Sequence, residues 1–294
     1  MSWLSRRNLL RTGLYGGLAS GLGTACYSRF GEARWLDLHE LKIPLTPAQS
    51  DLDGIRLTVL TDFHHDEWGD SEYIDEVVRQ VNAENLDFVI LAGDFITNDI
   101  HAFPELVDRL SRLTANRGVF AMLGNHDHWH YDPIIDKLFS ELGIRLLRNE
   151  ATIFDQFAVV GLESNWGGRP DLSKALARVP PEMPVILGWH EPDNFDLYDD
   201  PRIILQVAGH THGGQVCAPI HGPILLPSHG RKYARGHFQR RSSHLFVTRG
   251  IGISGVPFRF LCRPEIPILK FEYQANQSLI TSPCTSVSRK SRPA

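Results

Sequence analysis

Ile55-Arg56-Leu57-Thr58-Val59-Leu60-Thr61-Asp62-Phe63-His64 decides the reading of this chain, because an apolar run of strand length ends in a carboxylate and an imidazole two residues apart. The same arrangement recurs four times. Phe88 to Ala92 ends in Gly93-Asp94, and Val119 to Leu123 ends in Gly124-Asn125-His126-Asp127. Val185 to Trp189 ends in His190, and Ile203 to Ala208 ends in Gly209-His210-Thr211-His212. Each motif alone is weak, since Asp-x-His or Gly-Asp at a strand end is more often a turn than a ligand pair. All five together, each after a strand, point to one site. In open α/β sheets the ligand crevice lies outside the carboxyl ends of the strands, where these five ends can meet.

Between the runs, residues 72 to 84, 103 to 114 and 132 to 142 carry apolar positions at helical spacing. Strands apolar on both faces and alternating with helices predict an α/β fold with largely parallel sheets covered by helices. A further strand is expected at residues 266 to 272. The 294 residues and 42% hydrophobic content suffice for one catalytic domain. We expect it to span residues 51 to 273, preceded by a linker and early strand over 27 to 50 and followed by a disordered tail over 274 to 294. A net charge of -4 argues against a general nucleic-acid coat protein.

Residues 1 to 26 read differently. Ser5-Arg6-Arg7-Asn8-Leu9-Leu10 precedes a glycine-rich, weakly apolar run from Thr12 to Ala25 that contains no acid, which is the layout of a twin-arginine export signal. That run falls short of the ~20 predominantly apolar residues of a membrane span. Export by that machinery would deliver the protein to the periplasm or the outer face of the cytoplasmic membrane. Cleavage, retention as an anchor and lipidation at Cys26 are all open. Cys217 and Cys262 suit either an oxidised bridge or two buried thiols, and no Cys-x-x-Cys pair occurs.

The ordered blocks Asp-x-His, Gly-Asp, Gly-Asn-His-Asp, His and Gly-His-x-His resemble those of the calcineurin-like metallophosphoesterases, over roughly residues 51 to 273. Gly213-Gly214-Gln215, Arg249-Gly250-Ile251-Gly252-Ile253-Ser254-Gly255 and Arg263-Pro264-Glu265-Ile266 look like the bacterial YkuE/YaeI-like branch of phosphodiesterases. The resemblance implies a four-layer α-β-β-α sandwich of two mixed sheets with a dinuclear metal site at the carboxyl ends of the strands. It assigns Asp62, His64 and His212 to one cation, Asn125, His190 and His210 to a second, and Asp94 to both. His126 matches the family's catalytic histidine, with Asp127 expected to orient it. One departure concerns His65-Asp66-Glu67-Trp68, where the family usually has an apolar residue and Gly; this raises His65 as a competing ligand, and the Asp-x-His spacing favours His64.

The residue types make chemical sense on their own. Carboxylate, imidazole and amide oxygen suit Mn, Fe, Zn or Ni, and clustered thiolates are absent. Two such cations about 3.5–4 Å apart can share an activated hydroxide and clamp phosphoryl oxygens. We therefore expect hydrolysis of a phosphodiester or phosphomonoester, with His126 assisting the leaving group. The substrate would be a small anionic phosphate ester, lipid-linked or nucleotide, with no stable nucleic-acid partner and with membrane association open. The competing readings are a nuclease or nucleotide pyrophosphohydrolase, and a metal-stabilised scaffold without turnover. A metallo-β-lactamase would need a His-x-His-x-Asp-His run, which is missing.

From Pro201 to Pro264 the chain has no Asp or Glu but many arginines. Arg231, Lys232 and Arg235 are thereby candidates for a basic rim that steers an anionic substrate. The alternative is a set of charges paired with acids elsewhere in the chain.

Overall fold

The computed structural model describes residues 6–273. The five decisive runs form strands Arg56–Leu60, Phe88–Leu91, Val119–Ala121, Val185–Gly188 and Ile203–Ala208. They divide between two six-stranded sheets. The first runs, in spatial order, Asp37–Pro44, Glu265–Glu272, Arg56–Leu60, Phe88–Leu91, Val119–Ala121 and Arg145–Leu146. The second runs Gly236–Arg240, Ser243–Val247, Ile203–Ala208, Val185–Gly188, Ala158–Gly161 and Glu150–Ile153. Both are mixed: Glu265–Glu272 is antiparallel to Arg56–Leu60, and antiparallel partners close both edges of the second sheet. The five decisive strands themselves pair in parallel with one another, Arg56–Leu60 with Phe88–Leu91 and Phe88–Leu91 with Val119–Ala121 in the first sheet, Val185–Gly188 with Ile203–Ala208 in the second.

Period-two side-chain alternation gives each sheet two buried faces. Leu57, Val59, Phe88, Ile90 and Phe120 of the first sheet pack against Ile186, Val207 and Phe246 of the second. On the opposite face, Leu60, Val89 and Leu91 meet Ile74, Val77 and Val81 of helix Ser71–Asn82. Helices Phe103–Leu110 and Ile134–Glu141 complete that layer through Leu106, Val107, Ile135 and Phe139. Beyond the second sheet, Val160, Val185 and Leu187 pack on Ala175, Leu176 and Phe195. The result is helices, sheet, sheet and helix.

Asp70 starts the helix Ser71–Asn82 by accepting the N–H groups of Glu72 and Tyr73, satisfying donors that lack intrahelical partners. The stretch expected as a linker and early strand contains the strand Asp37–Pro44, which runs parallel to Glu265–Glu272 along its full length. The segment before it is also tied down. The Glu32 carboxylate is buried and accepts the Cys262 N–H at 2.6 Å, and the Ser28 carbonyl accepts the Arg259 N–H at 3.2 Å. Ahead of it lies the helix Arg6–Cys26, with Leu10, Leu14, Leu18 and Leu22 exposed. Among the described residues, no helix is long and apolar enough to cross a membrane. The expected tail over 274 to 294 lies outside the described residues, as does Cys284.

Candidate metal centre

At one end of both sheets the chain leaves each strand through a turn that projects polar side chains into a common space. Asp62, His64 and His212 form one buried group and Asp94, His190 and His210 another, with the donor atoms of each group within 4.8 Å of one another. The two groups touch. Oδ2 of Asp94 lies 3.1 Å from His190 Nε2 and 3.7 Å from His64 Nε2, one imidazole from each group. Asp62 Oδ1 in turn lies 3.6 Å from His212 Nε2 and 3.9 Å from His190 Nε2.

The backbone is bent out of its usual range to achieve this. Asp62 (φ 55°), His64 (44°), Asp94 (53°), His210 (70°) and His212 (51°) all adopt the left-handed conformation. Such conformations cost on the order of 1–3 kcal/mol each and persist where surrounding structure enforces them. Asp and His tolerate this region better than bulky or branched residues. Enforcement here comes from hydrogen bonds across the two sheets. The Asp62 carboxylate accepts the His210 N–H, and the Asp62 carbonyl accepts the Gly252 N–H at 2.8 Å. The fully buried Arg259 guanidinium donates to the carbonyls of Arg249, Gly250, Gly252 and Cys262, so it organises the Arg249 to Gly255 motif that seats Asp62. At Gly124 a side chain would collide with the Asp94 carboxylate.

His64, His190 and His210 are fixed by the nitrogen that faces away from the centre, whereas His212 Nδ1 is buried without a partner. His190 Nδ1 donates to the Ala92 carbonyl at 2.6 Å, and His210 Nε2 to the Ser228 carbonyl at 2.7 Å. His64 Nδ1 lies 2.9 Å from Thr97 Oγ1, whose hydroxyl donates to Glu67 at 3.3 Å. Outer hydrogen bonds of this kind set the tautomer and leave the other nitrogen's lone pair for a cation. His64 Nε2 then lies 3.1 Å from His212 Nε2, so without a cation one ring must donate to the other, and with one both lone pairs can turn to it. Asn125 Oδ1 is buried without a hydrogen-bond partner, a costly state for an acceptor. These orphaned donors fit cation binding, and they are the N and O types expected for Mn, Fe, Zn or Ni.

The electrostatics agree. Burial pushes the Asp62 carboxyl up to about 7, although His190 pulls the other way. Burial also disfavours the Asp94 charge, but His190, His64 and His126 around it hold its carboxyl well below the ordinary range. Desolvation depresses His64 to about 4 and His212 well below its usual value. Burial disfavours charge on His190 as well, but the Asp94 and Asp62 carboxylates around it raise its pKa well above the ordinary value, so a cation binding there must displace that proton.

His126 lines the cavity above the centre, and its ring lies 4.9 Å from that of His64, edge to face. Its Nδ1 donates to the Thr97 carbonyl at 2.8 Å. Asp127 does not orient this ring as expected. Its carboxylate accepts backbone N–H groups from Asp94 (2.7 Å), Phe95 (2.9 Å), Ile96 (3.4 Å) and Gly124 (2.9 Å), because it points back under the Gly93-Asp94 turn. Burial and the nearby Asp94 charge push its carboxyl up to about 7 despite those donors.

His65 stands apart from both ligand groups, with its Nε2 at 4.0 Å from Glu105. Asp66 caps the Thr97 to Asp99 turn and Glu67 holds Thr97. The atypical stretch after His64 therefore positions the ligand loop.

The expected basic rim dissolves in large part. Lys232 pairs with Asp196, and Arg235 reaches back to the carbonyls of Gly213 and Leu261 at 3.5 Å each. Arg202 pairs with Asp200, Arg241 with Asp199, and Arg249 with Asp37 and Glu265. Of the three candidates, Arg231 lines the cavity. The acids lie outside the acid-free stretch, some just beyond its ends (Asp200, Glu265) and one as far away as Asp37. Cys217 and Cys262 are free and buried, with Cys262 Sγ against the His212 carbonyl at 3.2 Å.

Several contributors carried no sequence signal. Thr97 follows a short apolar stretch, and Trp166 lies in a loop yet lines the cavity with its ring 5.9 Å from that of His210. Glu191 is fully buried and accepts the N–H of Asn165 at 3.0 Å, holding the Trp166 loop in place.

Known proteins resemble this chain in sequence. A profile of the calcineurin-like phosphoesterase family matches residues 55–214. The chain is 33% identical over 281 residues to the uncharacterized metallophosphoesterase YkuE of Bacillus subtilis, covering 91% of this chain and 98% of that one. It is 28% identical over 279 residues to the phosphodiesterase YaeI of Escherichia coli, covering 91% and 99%. It is 24% identical over 301 residues to the UDP-2,3-diacylglucosamine pyrophosphatase LpxG of Chlamydia muridarum, covering 83% and 91%. With strand-end ligands, two adjoining metal-ready groups and relatives along most of its length, the chain belongs to the calcineurin-like phosphoesterases, hydrolases that cleave phosphate esters with two divalent metal ions.

Proposed function

We propose that Asp62, His64 and His212 hold one cation, that Asn125, His190 and His210 hold the second, and that Asp94 serves both. The observation that carries this division is Asp94 Oδ2, set between His190 Nε2 at 3.1 Å and His64 Nε2 at 3.7 Å. Bound there, two divalent cations supply Lewis acidity, withdrawing charge from phosphoryl oxygens and making water acidic enough to act as a nucleophile near neutral pH. The protein's own part is positioning and proton transfer. Because His126 commits Nδ1–H to the Thr97 carbonyl, Nε2 is the atom that, on the doubly protonated ring, would pass its proton to the departing ester oxygen and return to a lone pair, a contribution of about 10²–10⁴-fold. Arg231 at the cavity wall offers a positive charge to the phosphate.

The names of two relatives, a phosphodiesterase and a pyrophosphatase, describe phosphoryl groups substituted on two sides. We accordingly favour a diester-type substrate over a monoester. The test is metal-stripped full-length protein supplemented with Mn, Fe, Zn or Ni and assayed on bis(p-nitrophenyl) phosphate and p-nitrophenyl phosphate. Restored diester turnover at two bound cations supports the reading; turnover indifferent to chelation would overturn it.

We further propose that residues 1 to 26 act as a twin-arginine signal that delivers the folded enzyme to the cell envelope. The support is Arg6-Arg7 ahead of a glycine-rich run with no acid. Export of a fused reporter should stop on replacing both arginines by lysine; continued export would refute the assignment.

A further inference from the structure

We infer that the cavity over the metal centre is built for an amphiphilic phosphate ester, with a hydrocarbon chain seated beside the cations; this rests on the hydrolytic reading and names its substrate class. The cavity measures about 680 Å³, within the ~300–1,000 Å³ of pockets that bury most of a ligand. At its floor lie His64, Asp94, Asn125, His126, His210 and His212. The walls are of another character: Val216, Ile224, Leu225, Leu226, Pro227 and Val256 line them, with Phe258 alongside.

Those walls are apolar and open to solvent. Leu225 is 81% exposed, Ile224 67% and Val256 44%. Single exposed apolar side chains need no explanation, but a contiguous set around one cavity marks a binding surface. The lining also includes polar Thr211, Gln215, Ser228, Arg231 and Ser254, but the Thr211 hydroxyl is committed to the Ala234 carbonyl and the Gln215 amide to Ser254 and Val256, which leaves the outer wall chiefly hydrocarbon.

Both walls are tied to the candidate ligands. One runs from the short pairing of Cys217 and Ala218 with Gly222 and Pro223 to Ser228, whose carbonyl holds the His210 ring at 2.7 Å. The other is clamped by Gln215, which donates to the Ser254 and Val256 carbonyls at 2.9 and 3.0 Å and accepts the Ser254 N–H at 3.0 Å. It is tied to the centre again by the Gly255 N–H, which reaches Glu67 at 3.1 Å, and Glu67 holds Thr97, the partner of His64. A chain lying along either wall is thereby set at a fixed distance from the phosphoryl group. That fits a phosphoryl head on the cations and a hydrocarbon tail leaving along Ile224 to Pro227.

The test uses full-length, manganese-loaded protein and a series of p-nitrophenyl alkyl phosphates from methyl to dodecyl, each below its micellar concentration. Burial of each methylene is worth about threefold to fourfold, so kcat/KM should rise at least about tenfold along the series before levelling off. Leu225→Asp and, on the separate loop, Val256→Asp should each collapse the dodecyl-to-methyl ratio, with folding checked by thermal unfolding. Alkylphosphonates of the same lengths, measured by calorimetry, read binding without turnover. Turnover of the methyl ester with a flat series, or a ratio unchanged in both variants, would overturn the chain-binding cavity and leave the hydrolase intact. Tighter binding of dodecylphosphonate than methylphosphonate with no ester cleaved under any metal would uphold the cavity and overturn the hydrolytic reading.

Discussion

The carboxylate of Asp127 receives the backbone N–H of Asp94 at 2.7 Å, and its other oxygen receives that of Phe95 at 2.9 Å. The residue after the candidate catalytic histidine thus holds the turn that carries Asp94, the proposed shared ligand. Replacing it by Asn puts an amide donor against N–H donors. Asp127→Asn should cost about 1–3 kcal/mol of stability, the usual penalty of an unsatisfied buried polar group, and should weaken metal retention. Denaturant unfolding and metal content of the purified variant check both.

Asp94→Ala and His126→Ala should separate metal binding from proton transfer. The first removes the oxygen that lies between the two ligand groups, so the protein should purify with substoichiometric metal. The second leaves both groups intact and should keep two cations while losing about 10²–10⁴-fold in turnover. Equal metal loss in both variants would contradict this division.

Thr97→Val keeps the side chain's shape and deletes the hydroxyl between His64 Nδ1 and Glu67. Losing an outer partner of a ligating imidazole typically costs about 10–100-fold in metal affinity. A metal titration followed by activity should show that shift with little change in turnover at saturation.

The Asp62 carboxyl at about 7, against 3.8 in an exposed chain, gives the metal-free protein a pH dependence. Its folded value is raised, so the folded form holds the proton more tightly. The associated stability is full below about pH 4 and is lost as pH rises through 7. The urea midpoint of stripped protein should fall between pH 5 and 8. Added manganese should reverse the fall and, below pH 7, release protons on binding, which calorimetry in buffers of different ionisation enthalpy detects.

What the sequence alone determined is the part of the site that sits at strand ends. Strand periodicity is local, each candidate block follows its strand directly, and a sheet brings successive carboxyl ends together; hence the gathering of Asp62, His64 and His212, and of Asp94, His190 and His210, is legible in the sequence. Edge strands such as Gly236–Arg240 and Glu150–Ile153 were not, since half-exposed strands of mixed composition lack that pattern. Tertiary structure decided everything that depends on a distant partner: that Arg249 answers to Asp37 and Lys232 to Asp196, leaving little of the basic rim; that Asp127 serves the Asp94 turn; and that Ile224, Leu225 and Val256, unremarkable in the chain, wall the same cavity. Local sequence sets which conformations and chemistries are available, whereas charge pairing, hydrogen-bond acceptance and cavity shape are properties of residues brought together only when the two sheets pack.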